Sequence, residues 1–534
     1  MTLFLLLFLA LLAACGDDGE HGRRSPTMAA TATKTAAPTA TLRDSATPTR
    51  SATASATATP TAMPPTETPM GTPVLTIHEE LLPSTDQMTS WIAEVVAQGI
   101  RRPGYPADQW AEHWTRDQFA AFGLESVTLD PVEVKRWVPR RWSLEAWPDS
   151  ALDQRHHFPC FPVPYSSPTG GLEGPLSSLT EGADPTGKIA VVDNEFLVLP
   201  QTITRVLASR AFDPDGEFDT LQQVLPFSAA FQRVMEPAIA AGATGFIGVL
   251  SGLPFETQDY YVPYDAEERP IPGVWISESN GALLKAMMAD GPVTARIVVD
   301  GGVDLFTSHN VTAVLPGASD EWIVIGSHHD GPWASAVEDG SGIAMVLAQA
   351  LYWSQVPRRE RPHNLMFLLN AGHMAGGAGL KAFIARHADF LPRVVIEIHL
   401  EHAARQARGE NGQLVATDDP EVRWWFTSRI TDLEDSVEAA IQAEDLRRSF
   451  LMPPDGFPPG SAAPPTDGAF FHPAGVPIVN FLTAPMYLFD AQDTLDKIHE
   501  PSLVPITRAV IRIVNSLQGR SAAQLRAAVR PPPP

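Results

Sequence analysis

Cysteine is nearly absent from these 534 residues: there are two, Cys15 and Cys160. Two thiols so far apart exclude a thiolate zinc site and a disulfide framework. Basic residues are also scarce, with 38 Lys and Arg against 62 Asp and Glu and a formal net charge of −24. Nucleic acid and an anionic membrane face both require a basic patch, so neither is expected as a partner. Long apolar runs are missing apart from the opening MTLFLLLFLALLAA, which is too short to span a bilayer. What remains has an apolar share of 44%, enough for a large core, and a length that allows two or three domains.

The opening run, residues 1–14, ends in Leu12-Ala13-Ala14-Cys15. It resembles a bacterial lipoprotein signal, in which cleavage before Cys15 leaves that thiol lipidated, although no Lys or Arg precedes the apolar stretch. Residues 15–74 are rich in Thr, Ala, Pro and Ser, with almost nothing to bury, and read as a tether. Together they predict a lipid-anchored protein held off a membrane on the extracytoplasmic side of a bacterial cell envelope.

Further along, Trp322–Tyr352 carries the densest chemistry. Ile323, Val324 and Ile325 predict a buried strand, and His328 and Asp330 follow at its C-terminal end, where open sheets gather their ligands. A turn with Glu338, Asp339 and Ser341-Gly342 comes next. Ile343, Val346, Leu347, Ala350 and Leu351 then have the spacing of a helix packing one face on a sheet. Strands are predicted at Leu365–Leu369, Val394–Leu400 and Val476–Leu482, and helices at Gly379–Arg386, Glu421–Leu446 (with Trp424, Trp425 and Ile430) and Pro501–Leu517. Pro453–Pro465 reads as a Pro-rich loop. The alternation predicts an α/β fold with a mixed, mostly parallel sheet and helices on both faces. Residues 170–300 break the pattern as a small mixed α/β insert, with strands at Gly187–Val192, within Ala241–Leu250 and at Ile271–Ser277.

The His328-x-Asp330 strand end, the Ser341-Gly342 helix start, the paired strands of Ser308–Asp330 and the segment Gly99–Gly123 resemble the co-catalytic zinc exopeptidases. That group contains aminopeptidases, glutamate carboxypeptidase, glutaminyl cyclase and the transferrin receptor ectodomain. The resemblance implies an exopeptidase-like domain formed by 75–169 and 301–520, a protease-associated-like insert at 170–300 and a tail at 521–534. It also implies zinc ligands at His328, at Glu338 in the bridging position and at Glu401, the last two replacing the family's Asp. Asp330 is expected to orient His328 from behind, His373 either stands as the catalytic base or completes a four-ligand site with His328, Glu338 and Glu401, and Asp467 faces the substrate cleft. The remaining two ligand positions fall on Met374 and Phe489, which cannot ligate zinc, so at most one zinc ion is expected. His329, His399 and His402 are spare candidates near the same strand ends. Two functions stay open: a membrane-anchored exopeptidase acting on peptide ends, and a catalytically degenerate module that binds peptide or protein. A glutaminyl-cyclase-like activity fits less well, because cyclases keep the Asp, Glu and His set missing here. Oligomeric state is not legible.

Overall fold

Two long strands, Glu125–Pro148 and Val293–Leu315, run antiparallel from Glu125↔Val314 to Pro148↔Val293 and join two sheets into one. They belong to a computed structural model that describes residues 75–179, 183–226, 233–457 and 461–532. The signal, Cys15 and the whole tether lie outside the described residues.

At the C-terminal end of Val293–Leu315 the sheet continues through Asn364–Asn370, Trp322–His328, Val394–Leu400 and Ile478–Thr483, the last four mutually parallel. Arg423–Thr427 then pairs antiparallel to Ile478–Thr483, and Ser449–Met452 and Arg210–Phe212 complete that edge. The sheet is therefore mixed, as the alternation predicted. Its four central strands are apolar on both faces because helices cover both sides.

The helix Gly342–Gln355 corrects one expectation. Residues 342–350 are all buried, so this is not a half-exposed amphipathic helix. Thr85–Val96 and Glu500–Ser516 pack on it as well as the sheet, which accounts for its apolar surface all round. A second correction concerns Glu421–Leu446. Arg423–Thr427 is a strand with every residue buried, and only Thr431–Ala443 is helical. Two adjacent Trp residues suit a pleated, doubly covered strand, and a short aromatic run does not declare its period.

The insert hangs on the other half of the long ribbon. Its strands Thr169–Ser178, Ile189–Glu195, Gly245–Ser251 and Gly273–Ser277 form an ordered array beside Val293–Leu315. Strand alternation gives them two buried faces. Ile247, Val249, Val274 and Ile276 join Leu284 of the helix Glu278–Asp290 in a small core, while Phe246, Leu250 and Trp275 point into the main core. The segment is not self-contained, since Arg210–Phe212 leaves it to pair with the far edge of the main sheet. Cys160 sits half-buried there as a free thiol, pushed by burial up to about 12, and is chemically inert at neutral pH.

Candidate metal centre

Neighbouring parallel strands end side by side, and each delivers a histidine to one point. His328 closes Trp322–His328, His373 lies in the turn after Asn364–Asn370, and His402 follows Val394–Leu400. All three converge on Glu338, which sits in the irregular turn Ala336–Ser341 with non-helical backbone at Glu338 and Asp339.

That turn is clamped from two sides. The Asp493 carboxylate accepts the Val337 and Glu338 amides, each at 2.8 Å. The wholly buried Arg101 guanidinium donates to the carbonyls of His329 at 3.2 Å and Ser335 at 2.9 Å, and contacts those of Ala334 and Glu338. Asp339 accepts the Gly342 amide at 2.9 Å and the Ser327 hydroxyl, fixing the helix start. A Cβ at Gly342 would fall 2.0 Å from Asp339 Oδ2, so this close approach requires glycine.

His328 Nδ1 donates to the Asp330 main-chain carbonyl at 2.9 Å, and its Nε2 is 3.4 Å from Glu338 Oε1. The Asp330 carboxylate is not the expected orienting partner. It lies 3.7 Å from the ring and accepts instead the amides of His373 at 3.1 Å and Met374 at 2.7 Å, so it shapes the next turn. His373 stacks on His328 with ring centroids 4.2 Å apart. Its Nδ1 is 3.1 Å from Asp467 Oδ1 and its Nε2 is 3.6 Å from Glu338 Oε1. His402 Nδ1 donates to the Thr483 carbonyl at 2.8 Å, and its Nε2 contacts Glu338 Oε2.

Glu401 is not gathered with these groups. Its Oε1 lies 3.3 Å from His399 Nε2 and accepts the Asp467 amide at 3.3 Å. Glu397, His399 and Glu401 alternate along one strand face, and His399 Nδ1 is 3.0 Å from Glu397. Met374 is buried in the main core, and Phe489 packs against Tyr264 with centroids 5.0 Å apart. Neither supplies a ligand for a second ion.

Burial disfavours charge on His373 and His402, yet the carboxylates of Asp467 and Glu338 outweigh it and hold both rings at about 10. Burial likewise opposes charge on Glu338, but the surrounding histidines keep its carboxyl well below the usual range. Glu338 is therefore a permanent buried anion, and such a group without a partner costs several kcal/mol. Its Oε2 is paired with His402 Nε2, whereas Oε1 and His328 Nε2 face each other without a hydrogen bond. The 3.4 and 3.6 Å approaches of His328 and His373 exceed a charge-assisted bond of about 2.8 Å. His328, His373 and Glu338 converge without bonding one another, which suits a cation between them, and two imidazole nitrogens with a carboxylate suit zinc.

A cavity of about 440 Å³ opens onto this point, lined among others by Glu338, His373, Glu401, His402, Asp467 and Phe489. Tyr264, Asp265 and Glu267 of the insert contribute to its wall. Asp467 therefore reaches the cleft as well as His373. Sequence reasoning left His402 as a spare and did not single out Arg101 or Asp493. Of these, Arg101 lies inside Gly99–Gly123, one of the segments that carry the resemblance.

Residues 310–514 match the sequence pattern of Peptidase family M28. A search of curated proteins finds no match. Among solved structures, the Peptidase M28 precursor of Shewanella amazonensis is 21% identical over 84% of this chain and 95% of its own, with a TM-score of 0.62. The zinc aminopeptidase BSAP of Bacillus subtilis is 15% identical over 84% and 100%, with a TM-score of 0.58. An aminopeptidase from Aneurinibacillus sp. strain AM-1 is 20% identical over 84% and 95%, with a TM-score of 0.54. These likenesses establish the fold.

Proposed function

We propose that this protein is a zinc-dependent exopeptidase of the aminopeptidase class, working from a lipid anchor at a bacterial envelope surface with one metal instead of two. The observation that carries the reading is the meeting of His328, Glu338 and His373 at an open cavity, on a fold it shares with zinc aminopeptidases. The lining also favours a substrate's ammonium end over its carboxylate end. Asp265, Glu267, Glu338, Glu401 and Asp467 face the cavity against a single lysine, Lys381. A carboxypeptidase needs a fixed cation for the terminal carboxylate, and Lys381 lies over the Phe470 ring at 5.5 Å.

Bound zinc would supply a Lewis acid to polarise the scissile carbonyl. The chain's own residues do the rest. Glu401 is pinned by His399 yet lines the cavity, so it is placed to accept a proton. Trp424, Leu482, Leu488 and Phe489 give an apolar wall for the side chain of the terminal residue. A second reading, a binding module without turnover, draws on the residues Met374 and Phe489 at the missing ligand positions.

The test is hydrolysis of aminoacyl anilides by the purified full chain. Activity should vanish with a chelator and return with zinc. Glu401→Gln should lower kcat roughly a hundredfold or more while leaving zinc content unchanged. Absence of turnover in zinc-loaded protein that binds peptides tightly would replace this reading with the second.

A further inference from the structure

Residues 264–269 of the insert form a partition between two cavities. Tyr264, Asp265 and Glu267 line the metal cavity on one side, while Glu268 and Arg269 line a second cavity of about 180 Å³ on the other. Arg269 spans the partition. Its guanidinium donates to both oxygens of Asp265, at 2.8 and 2.6 Å. Its main chain is tied to the far wall of the second cavity, where its amide donates to the Tyr165 carbonyl at 2.9 Å and its carbonyl accepts the Ser167 hydroxyl at 2.7 Å. Neither the metal centre nor the proposed reaction uses these contacts.

The second cavity has the marks of a shaped site. It lies against the middle of the long ribbon, where the register shifts between Pro139 and Arg141, and such bulges recur beside binding sites. A Cβ at Gly301 would fall 2.5 Å from the Val138 carbonyl oxygen, so this close approach requires glycine. Tyr165 in the far wall and Ala266 in the partition have φ of 59° and 61°. Side-chain-bearing residues seldom adopt this left-handed conformation, which gathers at ligand clamps and switch segments. Trp137, Val299 and Val303 give the cavity an apolar side, and Glu268 and Arg269 set one negative and one positive group beside it. Its volume of about 180 Å³ is below the roughly 300–1,000 Å³ of pockets for drug-sized ligands, so its occupant is small. An apolar body bearing one anionic and one cationic group is an aliphatic amino acid in its zwitterionic form.

We infer that this cavity binds a free aliphatic amino acid, with its carboxylate on Arg269, its ammonium on Glu268 and its side chain against Trp137, Val299 and Val303. Glu268 shares its charge with Lys135 at 3.3 Å, and Lys135 also donates to the Ala266 carbonyl at 3.0 Å, so both charged groups of the ligand meet the partition. The ligand's carboxylate competes with Asp265 for Arg269. The partition in turn touches the metal centre: the Tyr264 carbonyl accepts the Gly376 amide at 2.8 Å, at the end of the turn that carries His373, and the Tyr264 ring packs on His373 with centroids 5.4 Å apart. Occupancy therefore loosens the partition, disturbs His373 and lowers turnover. This regulatory half rests on the exopeptidase reading, whose product is a free amino acid. The binding half does not.

The probe is L-leucine, titrated by calorimetry into the purified full chain kept metal-free with a chelator, so that the metal cavity cannot hold it by chelation. One equivalent should bind. Leucinamide, without the carboxylate, and isocaproate, without the ammonium, should each bind at least about tenfold more weakly, the scale of one lost charge-assisted bond. Gly302 lines the second cavity and a Cβ there meets nothing within 4 Å, so Gly302→Leu fills the space without reaching the metal cavity. It should abolish leucine binding and leave zinc affinity and leucine-free hydrolysis unchanged. In the zinc-loaded wild type, leucine should lower kcat for an aminoacyl anilide, and Gly302→Leu should remove that effect. Wild-type protein that does not bind leucine, Gly302→Leu that binds it equally well, or equal binding of leucinamide and isocaproate would overturn the inference. A kcat indifferent to leucine would remove its regulatory half. Absence of all hydrolysis would end the exopeptidase reading instead, and the metal-free titration would still decide the binding half.

Discussion

His329 stands next to His328 but performs a different task. Its Nδ1 is 2.7 Å from Asp108 Oδ1 and its Nε2 2.9 Å from the His309 carbonyl, so both ring nitrogens donate and the ring is an imidazolium. Burial opposes that charge, but Asp108 outweighs it and holds the ring at about 9. Asp108 also takes the Gly104 amide, while Glu112 takes the His309 amide and ring, leaving this cluster no unpartnered carboxylate for a metal. It ties the helix Pro106–Ala121 to the strand end that presents His328. Asp108→Asn should cost on the order of 3 kcal/mol, because it leaves a buried cation without its anion. Urea denaturation of the metal-free protein measures this, and a loss below about 1 kcal/mol would show the pair to be dispensable. Local spacing made His328 and Glu338 legible in the sequence. His402 was not, because its positive φ of 60° swings it out of the strand alternation and onto Glu338. Glu401, expected as a zinc ligand, pairs with His399 instead, because residues 397, 399 and 401 share a strand face.

At the scale of elements, strand ends and helix starts position the site, and most of these were readable. Trp322–His328 and the helix from Gly342 follow the apolar pattern, whereas the strand Arg423–Thr427 does not, for its five residues fit either period. The terminal helix Glu500–Ser516 packs on Gly342–Gln355 and is preceded by His499. Burial, and then the charges of Arg423 and Arg405, push His499 down to about 4. The neutral ring accepts from Ser502 and donates to the Asp418 carbonyl. A helix N-terminus also disfavours a cation. The unfolded chain therefore binds a proton near pH 6.5 that the folded chain refuses until about pH 4. The stability His499 contributes is present above pH 6.5 and is lost as pH falls through this window. His499→Gln should flatten the decline in Tm between pH 7 and pH 4.5, and an unchanged slope would exclude His499 as its source.

For the molecule as a whole, the insert was expected as a small separate domain, yet residues 76–534 form one compact unit. Its strands bury one face in their own core and the other in the main core, and its Tyr264 and Asp265 line the cavity. Such long-range packing leaves no local mark beyond continuous apolar strands. No helix among the described residues is long and apolar enough to cross a membrane. Anchoring at Cys15 thus rests on the lipoprotein-like opening alone, and Cys15→Ser should move the protein from the membrane fraction to the soluble fraction or leave an uncleaved precursor. A wild-type chain found soluble and unlipidated would remove the anchor from the account.

Zinc-edge X-ray absorption on the purified wild-type protein tests the reading of one metal at His328, Glu338 and His373 most directly. One zinc per chain is expected, with imidazole scattering from His328 and His373 and no second metal. A zinc neighbour at about 3.5–4 Å, as in two-metal sites, would contradict it.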